Sequence, residues 1–209
     1  MTRVLLLLLT VLLPGVSLAN TEQEWRFRVF LEDSEIGTHT FRVDDNSGDR
    51  RVESDARFTV RFLFIEAYNY EHRARERWRG NCLDTVESST NDNGERLAVS
   101  GIRSTSGFAV KANSGQAALP SCVMTFAYWN PAMLKQARLL NVQTGELLDV
   151  RVEPLGEEVL NIRGQRSTAH RYALHAPKFR VDVWYADGQQ WVQLESRTEG
   201  GRLLRYLIQ

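Results

Sequence analysis

Apolar and polar residues alternate over long stretches of this chain. In Trp25-Arg26-Phe27-Arg28-Val29-Phe30-Leu31-Glu32 the odd positions are apolar and most even ones are polar. From Val52 to Phe64 the even positions run Val52, Ser54, Ala56, Phe58, Val60, Phe62 and Phe64, with Glu53, Asp55, Arg57, Thr59 and Arg61 between them. Side chains of a strand point to opposite faces in turn, so a period of two predicts strands with one buried face.

Tyr68 to Trp78 supports two readings. A strand places Tyr68, Tyr70, His72, Ala74, Glu76 and Trp78 on one face and Asn69, Glu71, Arg73, Arg75 and Arg77 on the other. A helix offers the Glu71/Arg75 pair and Gly80 at its end. The alternation is nearly perfect and the helical apolar stripe is thin, so strand is preferred.

Turn-forming clusters separate the strand-like runs: Asp44 to Asp49, Asn91 to Gly94, Gln143 to Glu146, Asp187-Gly188 and Glu199 to Gly201. Further strand-like runs are Leu97 to Ile102, Phe108 to Ala112, Leu147 to Glu153, Arg171 to His175, Phe179 to Tyr185, Trp191 to Glu195 and Leu203 to Ile208. Only Pro131 to Leu140 reads as helix, with Asn130 as N-cap and Pro131 at the first helical position. The expectation is a mainly β chain: a single antiparallel, strongly curved sheet or half-open barrel of roughly ten to twelve strands with one short helix.

The first residues change the compartment. Arg3, the apolar run Val4 to Leu13, the break at Pro14-Gly15 and the small residues Ser17-Leu18-Ala19 have the form of a cleaved signal peptide over residues 1–19. The run is about ten residues, whereas a membrane-spanning helix needs about 20. Residues 20–209 then form a single β-rich domain, periplasmic or secreted, with no transmembrane segment. The whole chain carries 26 basic and 26 acidic side chains. That balance argues against a general nucleic-acid binder, which needs a basic excess.

Candidate chemistry is sparse. Cys82 and Cys122 are the two cysteines, and an oxidising compartment favours their pairing. Two separate thiols or a redox pair are the alternatives, the latter weakened by the absence of Cys-x-x-Cys. His39, His72, His170 and His175 show no metal spacing. His72 and Glu76 lie about 13 Å apart on a strand, too far to share an ion. No metal and no cofactor are expected. Asp44 to Asp49 has a calcium-loop flavour without the distal Glu, and reads as a plain turn. Ser104, Ser106 and Ser121 lack a nucleophile-elbow frame. Tyr128-Trp129 precede the helix start and either plug the barrel end or line a ligand mouth. Arg73, Arg75, Arg77 and Arg79 form a basic stripe on one strand face. It is either a solvated face or a contact for an acidic partner.

Several segments together resemble a family of uncharacterised exported bacterial proteins known only as a domain of unknown function. They are Ile36 to His39, Thr90 to Gly94, Phe126 to Pro131, Leu140 to Gly145 and Val183-Trp184-Tyr185. The resemblance spans nearly the whole chain after the leader and carries no catalytic residue. A more distant, architectural likeness is to half-open-barrel carriers of lipoproteins. The function expected is a non-enzymatic binding or carrier module for an apolar ligand such as a lipid. Its ligand-wall candidates are Tyr68, Tyr70, His72, Glu76, Trp78, Tyr128, Trp129 and Asn130. Three other readings stand beside it. One is an assembly protein that meets an envelope partner through a sheet edge or the Arg-rich face. Another is an enzyme using dispersed residues such as His72, Glu76, Tyr128 and Asn130. The last is an outer-membrane barrel.

Overall fold

The computed structural model describes residues 21–62 and 65–209. The signal peptide expected over 1–19 lies outside them. The chain meanders through β1 (Thr21–Leu31), β2 (Ser34–Asn46), β3 (Asp49–Phe62), β4 (Ile65–Arg79), β5 (Cys82–Asp92), β6 (Glu95–Ser104), β7 (Gly107–Ala112) and β8 (Gly115–Leu119). A crossing segment follows, with a 3-10 turn at Pro131–Lys135 and the short strands β9 (Arg138–Leu140) and β10 (Leu147–Asp149). The chain then resumes as β11 (Arg151–Ile162), β12 (Gln165–His175), β13 (Arg180–Ala186), β14 (Gln190–Arg197) and β15 (Leu203–Ile208).

β15 returns to pair with β1, with Phe27 opposite Ile208. The result is one 13-stranded antiparallel sheet in the order β11-β12-β13-β14-β15-β1-β2-β3-β4-β5-β6-β7-β8. It does not close: β11 and β8 are its two edges. The strand count exceeds the ten to twelve expected. β5 and β8 are too polar for their inward faces to stand out in sequence. In β8 almost every side chain is exposed.

The expected alternation places the core. Trp25, Phe27, Val29 and Leu31 of β1 and Val52, Ala56 and Phe58 of β3 are buried on the concave face. The segment Tyr68 to Trp78 is strand, because cross-strand partners on both sides satisfy its backbone: Tyr70 lies between Phe58 and Asp92. The helix expected over Pro131 to Leu140 is corrected. Only one 3-10 turn forms, capped as foreseen by the Asn130 side chain, which accepts from the Ala132 N–H at 3.1 Å. Arg138–Leu140 then leave as a strand to pair with β10. Leu147 to Glu153 is interrupted at Val150, whose N–H donates to the Ala137 carbonyl at 2.8 Å.

The β11–β12 hairpin builds a second layer. A bulge at Pro154/Gly156 shifts its register, and β12 meets β13 only from Ala169 to His175. Leu160 and Ile162 therefore close over Trp184 and Val192 on the convex face. Arg163 at the hairpin tip donates to the Gln209 carbonyl.

Candidate functional site: a cavity between sheet and plug

The crossing segment, residues 120–146, fills the concave side of the sheet. The Cys82–Cys122 disulfide, with Cα atoms 4.8 Å apart, fastens its start to β5. Beside it the Leu83 N–H donates to the Val123 carbonyl at 2.9 Å. Further on, the Leu140 N–H donates to the Met124 carbonyl at 2.8 Å, so the segment is tied to itself as well. Met133, Leu139 and Leu140 are fully buried, and they join the largest core cluster together with Trp129. On the far side the Tyr185 hydroxyl donates to the Tyr128 carbonyl at 2.8 Å. The segment is a plug gripped from both halves of the sheet.

The plug does not fill the interior completely. A cavity of about 350 Å³ remains between it and strands β2, β3 and β4. That lies at the lower end of the size range of small-molecule sites, about 300–1,000 Å³. Phe41, Tyr70, Phe126, Tyr128 and Phe179 supply aromatic walls, while His39, Ser54, His72, Glu76, Thr125 and Gln143 supply polar groups. The Tyr70 hydroxyl donates to the Gln143 side-chain oxygen at 3.0 Å, linking wall and plug.

Burial sets the electrostatics. Glu76 accepts from the Trp78 indole N–H at 2.8 Å and from the Thr125 hydroxyl at 3.4 Å. These two bonds favour the carboxylate, but desolvation outweighs them and lifts its pKa to about 7. His72 pairs with the Thr90 hydroxyl through Nδ1 at 2.8 Å, and desolvation lowers its pKa to about 4. His39 is held well below the ordinary histidine range by desolvation first and by His72 second. Its Nε2 meets the Ser54 hydroxyl at 2.7 Å, whereas its buried Nδ1 has no hydrogen-bond partner. Both imidazoles are neutral at pH 7.

Of the residues expected to form a ligand wall, Tyr70, His72, Glu76, Tyr128 and Trp129 line this cavity. Three do not. Trp78 is fully buried and packs behind Trp129. The Tyr68 hydroxyl is tied to Asp92 at 2.6 Å. Asn130 is spent on its cap and donates to Asn81 at 3.1 Å. That last placement separates Asn130 from His72, Glu76 and Tyr128, with which it was grouped as dispersed catalytic residues. His39, Ser54, Phe126, Gln143 and Phe179 were not singled out as wall residues. For His39 the signal was present, since His39, Phe41 and Val43 share one face of a two-residue period. Phe179 comes from a turn before β13, and only the curvature of the sheet carries it there.

Other candidates have partners within the chain. Arg73 bonds Asp55 at 3.0 Å, Arg75 meets Glu53 at 3.4 Å and Arg79 meets Asp84 at 3.4 Å, all across neighbouring strands. The basic stripe is thus largely neutralised by its own sheet. This charged convex face and the two unpaired edges also count against an outer-membrane barrel, which closes on itself and turns apolar residues outward. Asp45 accepts from the Gly48 N–H at 2.9 Å and from Arg50 at 2.6 Å, so the run Asp44 to Asp49 is the tight hairpin connection of β2 and β3, with Ser47-Gly48 at its turn. Among the described residues no cluster of three metal-ligating side chains forms, and no helix is long and apolar enough to cross a membrane.

An open antiparallel sheet wrapped around its own crossing segment defines the class: a β-barrel-like protein with an internal plug and a residual cavity. Residues 27–209 match the family model of a domain of unknown function, DUF6134, and the chain belongs to that family. No curated protein sequence matches it. Among solved structures it is similar to a β-barrel-like protein of a domain of unknown function, DUF1849, from Brucella abortus. The TM-score is 0.65 at 9% identity, over 92% of this chain and 98% of that one. At that identity the likeness concerns the fold alone.

Proposed function

We propose that the protein is a non-enzymatic binding or carrier module that holds a small apolar ligand between its sheet and its plug, after export to the periplasm or beyond. The observation that carries this reading is the cavity itself: aromatic walls, a few converging polar groups and a single acidic side chain held near neutrality. Export is supported by the leader-like residues 1–19 and by the disulfide, which persists in an oxidising space. His72 serves as a positioned wall group in this reading, its Nδ1 engaged by the Thr90 hydroxyl at 2.8 Å outside the cavity lining.

The test is native mass spectrometry of protein purified from its own envelope, followed by organic extraction. A co-purifying apolar molecule, released by Phe126→Trp because the larger ring fills the cavity, is the expected result. Protein that is always empty, and that binds no apolar probe, removes the reading. A stable protein partner in its place would favour an assembly role through the β8 or β11 edge.

A further inference from the structure

The two imidazoles and the carboxyl that line the cavity are unevenly met. His72 pairs with Thr90 and His39 with Ser54, and both rings are neutral at pH 7. Glu76 differs. Only 8% of it is exposed, and both bonds it accepts, from the Trp78 indole and the Thr125 hydroxyl, fall on Oε2. Its Oε1 has no hydrogen-bond partner among the described residues. Unlike His39 Nδ1, that atom is not sealed from the cavity that Glu76 lines.

The protein supplies no positive charge for this oxygen. Among the described residues no Arg or Lys lines the cavity, although the chain has 26 of them, and Glu76 has no cationic partner. Desolvation therefore outweighs its two hydrogen bonds. A buried carboxylate is stable when a cation meets it, and Oε1 is the position left for one. An anionic head group would find the reverse: two neutral imidazoles, a carboxyl and no counter-charge. An alcohol could donate to Oε1 but would leave the carboxylate charge uncompensated. The walls suit a cation too. Phe41, Tyr70, Phe126, Tyr128 and Phe179 are rings of the kind whose faces attract an ammonium group and whose area packs against hydrocarbon.

We propose that the cavity takes an organic ammonium ion with an apolar body, its charged head on Glu76 Oε1 and its hydrocarbon against the aromatic walls. This rests on the carrier reading and narrows it to lipophilic amines, with fatty acids and neutral alcohols as weaker occupants. Where the carboxyl is protonated before binding, the head displaces that proton. Carboxyl and ammonium ion become a carboxylate–ammonium pair, and one proton leaves to solvent.

Native mass spectrometry and Trp fluorescence at pH 8 compare octylammonium, octanol and octanoate, three probes of equal chain length. At that pH Glu76 is mainly ionised and both charged probes carry their charge. Octylammonium is expected to bind at least about tenfold more tightly than octanol, with octanoate weakest. Glu76→Gln keeps an acceptor for Trp78 and removes the charge, so it should erase most of that preference while octanol binding stays. Thermal unfolding checks that the variant folds. If it does not, calorimetry of the parent protein at pH 6 is read instead, in two buffers of different ionisation enthalpy. Octylammonium should then release nearly one proton and octanol none. Equal binding of all three probes, or preference for octanol or octanoate, overturns the head-group assignment while leaving a carrier. A preference for octylammonium that survives Glu76→Gln, or no proton release in the calorimetric arm, overturns the role of Glu76. Binding of none of the three removes the carrier reading itself.

Discussion

The indole of Trp78 stands edge-on to that of Trp129, ring centroids 5.5 Å apart and planes at 90°. One ring belongs to the fourth strand and the other to the plug, so this contact joins the two parts of the molecule. Edge-to-face pairs add about 0.5–1.5 kcal/mol beyond their buried area.

Trp78→Ala should therefore behave as a core truncation. Its ring is fully buried and its N–H satisfies Glu76. A loss of about 3–5 kcal/mol is expected from the cavity alone. Chemical denaturation at pH 6 would measure it. A loss under about 1 kcal/mol would mean that the plug is not packed against β4 as described. Tyr70→Phe makes the contrast: it removes only the bond to Gln143, and a cost of about 1 kcal/mol is expected.

The disulfide closes a loop of 40 residues in sequence and pins the first residues of the plug. Chain entropy puts its contribution at roughly 4 kcal/mol. Cys82→Ser should lower the unfolding midpoint markedly, and reductant should do the same to the parent protein but not to the variant. Thiol counting in denaturant without reductant should find no free thiol. Two free thiols in correctly exported protein would contradict the pairing.

How much of this was legible beforehand depended on whether a residue's role was local. Alternation is local: the inward faces of β1, β3 and β4 could be read directly, because each has large apolar side chains at every second position. β5 and β8 could not, since Ser88 and Thr90 face inward in β5 and β8 is largely exposed. The plug was half visible. Asn130-Pro131 announced a helical start, but nothing short of tertiary packing says that it stops after one turn and continues as a strand. The cavity was visible through Tyr70, His72 and Glu76, which share a strand. Phe126, Gln143 and Phe179 reach it only because the sheet curves and the plug folds back. Trp78 stood with the wall residues because a wall residue and a packed residue look the same in sequence; the position of Trp129 places it behind the wall.

Gly101 faces Phe108 across β6 and β7. A Cβ built at Gly101 would lie 2.5 Å from the Phe108 ring, which is fully buried. The absence of a side chain at Gly101 leaves the space that ring occupies. Gly101→Ala should cost about 1–3 kcal/mol by overpacking. Combining it with Phe108→Leu, which clears the space, should recover part of the loss. Additive losses in the double variant, read by denaturation, would show that the two positions are not in contact.

The titration of Glu76 gives the last prediction. Its folded pKa is about 7 and its unfolded value about 4.5, so the native state holds a proton that the unfolded state releases. Stability from this group is therefore complete below about pH 4.5 and is lost as pH rises through 7. A difference of that size amounts to roughly 3 kcal/mol. The groups facing it across the cavity act in the opposite sense. His72, with a folded pKa of about 4, and His39, also depressed, are neutral in the native state while their unfolded counterparts charge below about 6.5. His72 makes stability rise between about pH 4 and 6.5 and His39 acts in the same direction, masking much of the Glu76 effect in the parent profile. Glu76→Gln isolates it. The amide oxygen still accepts from Trp78, but nothing titrates. The parent's stability minus the variant's should fall steadily from pH 5 to 7.5 and then level off. A difference that stays flat across this range would show that Glu76 is ionised in the native state throughout, and that the back of the cavity is wetter than its packing implies.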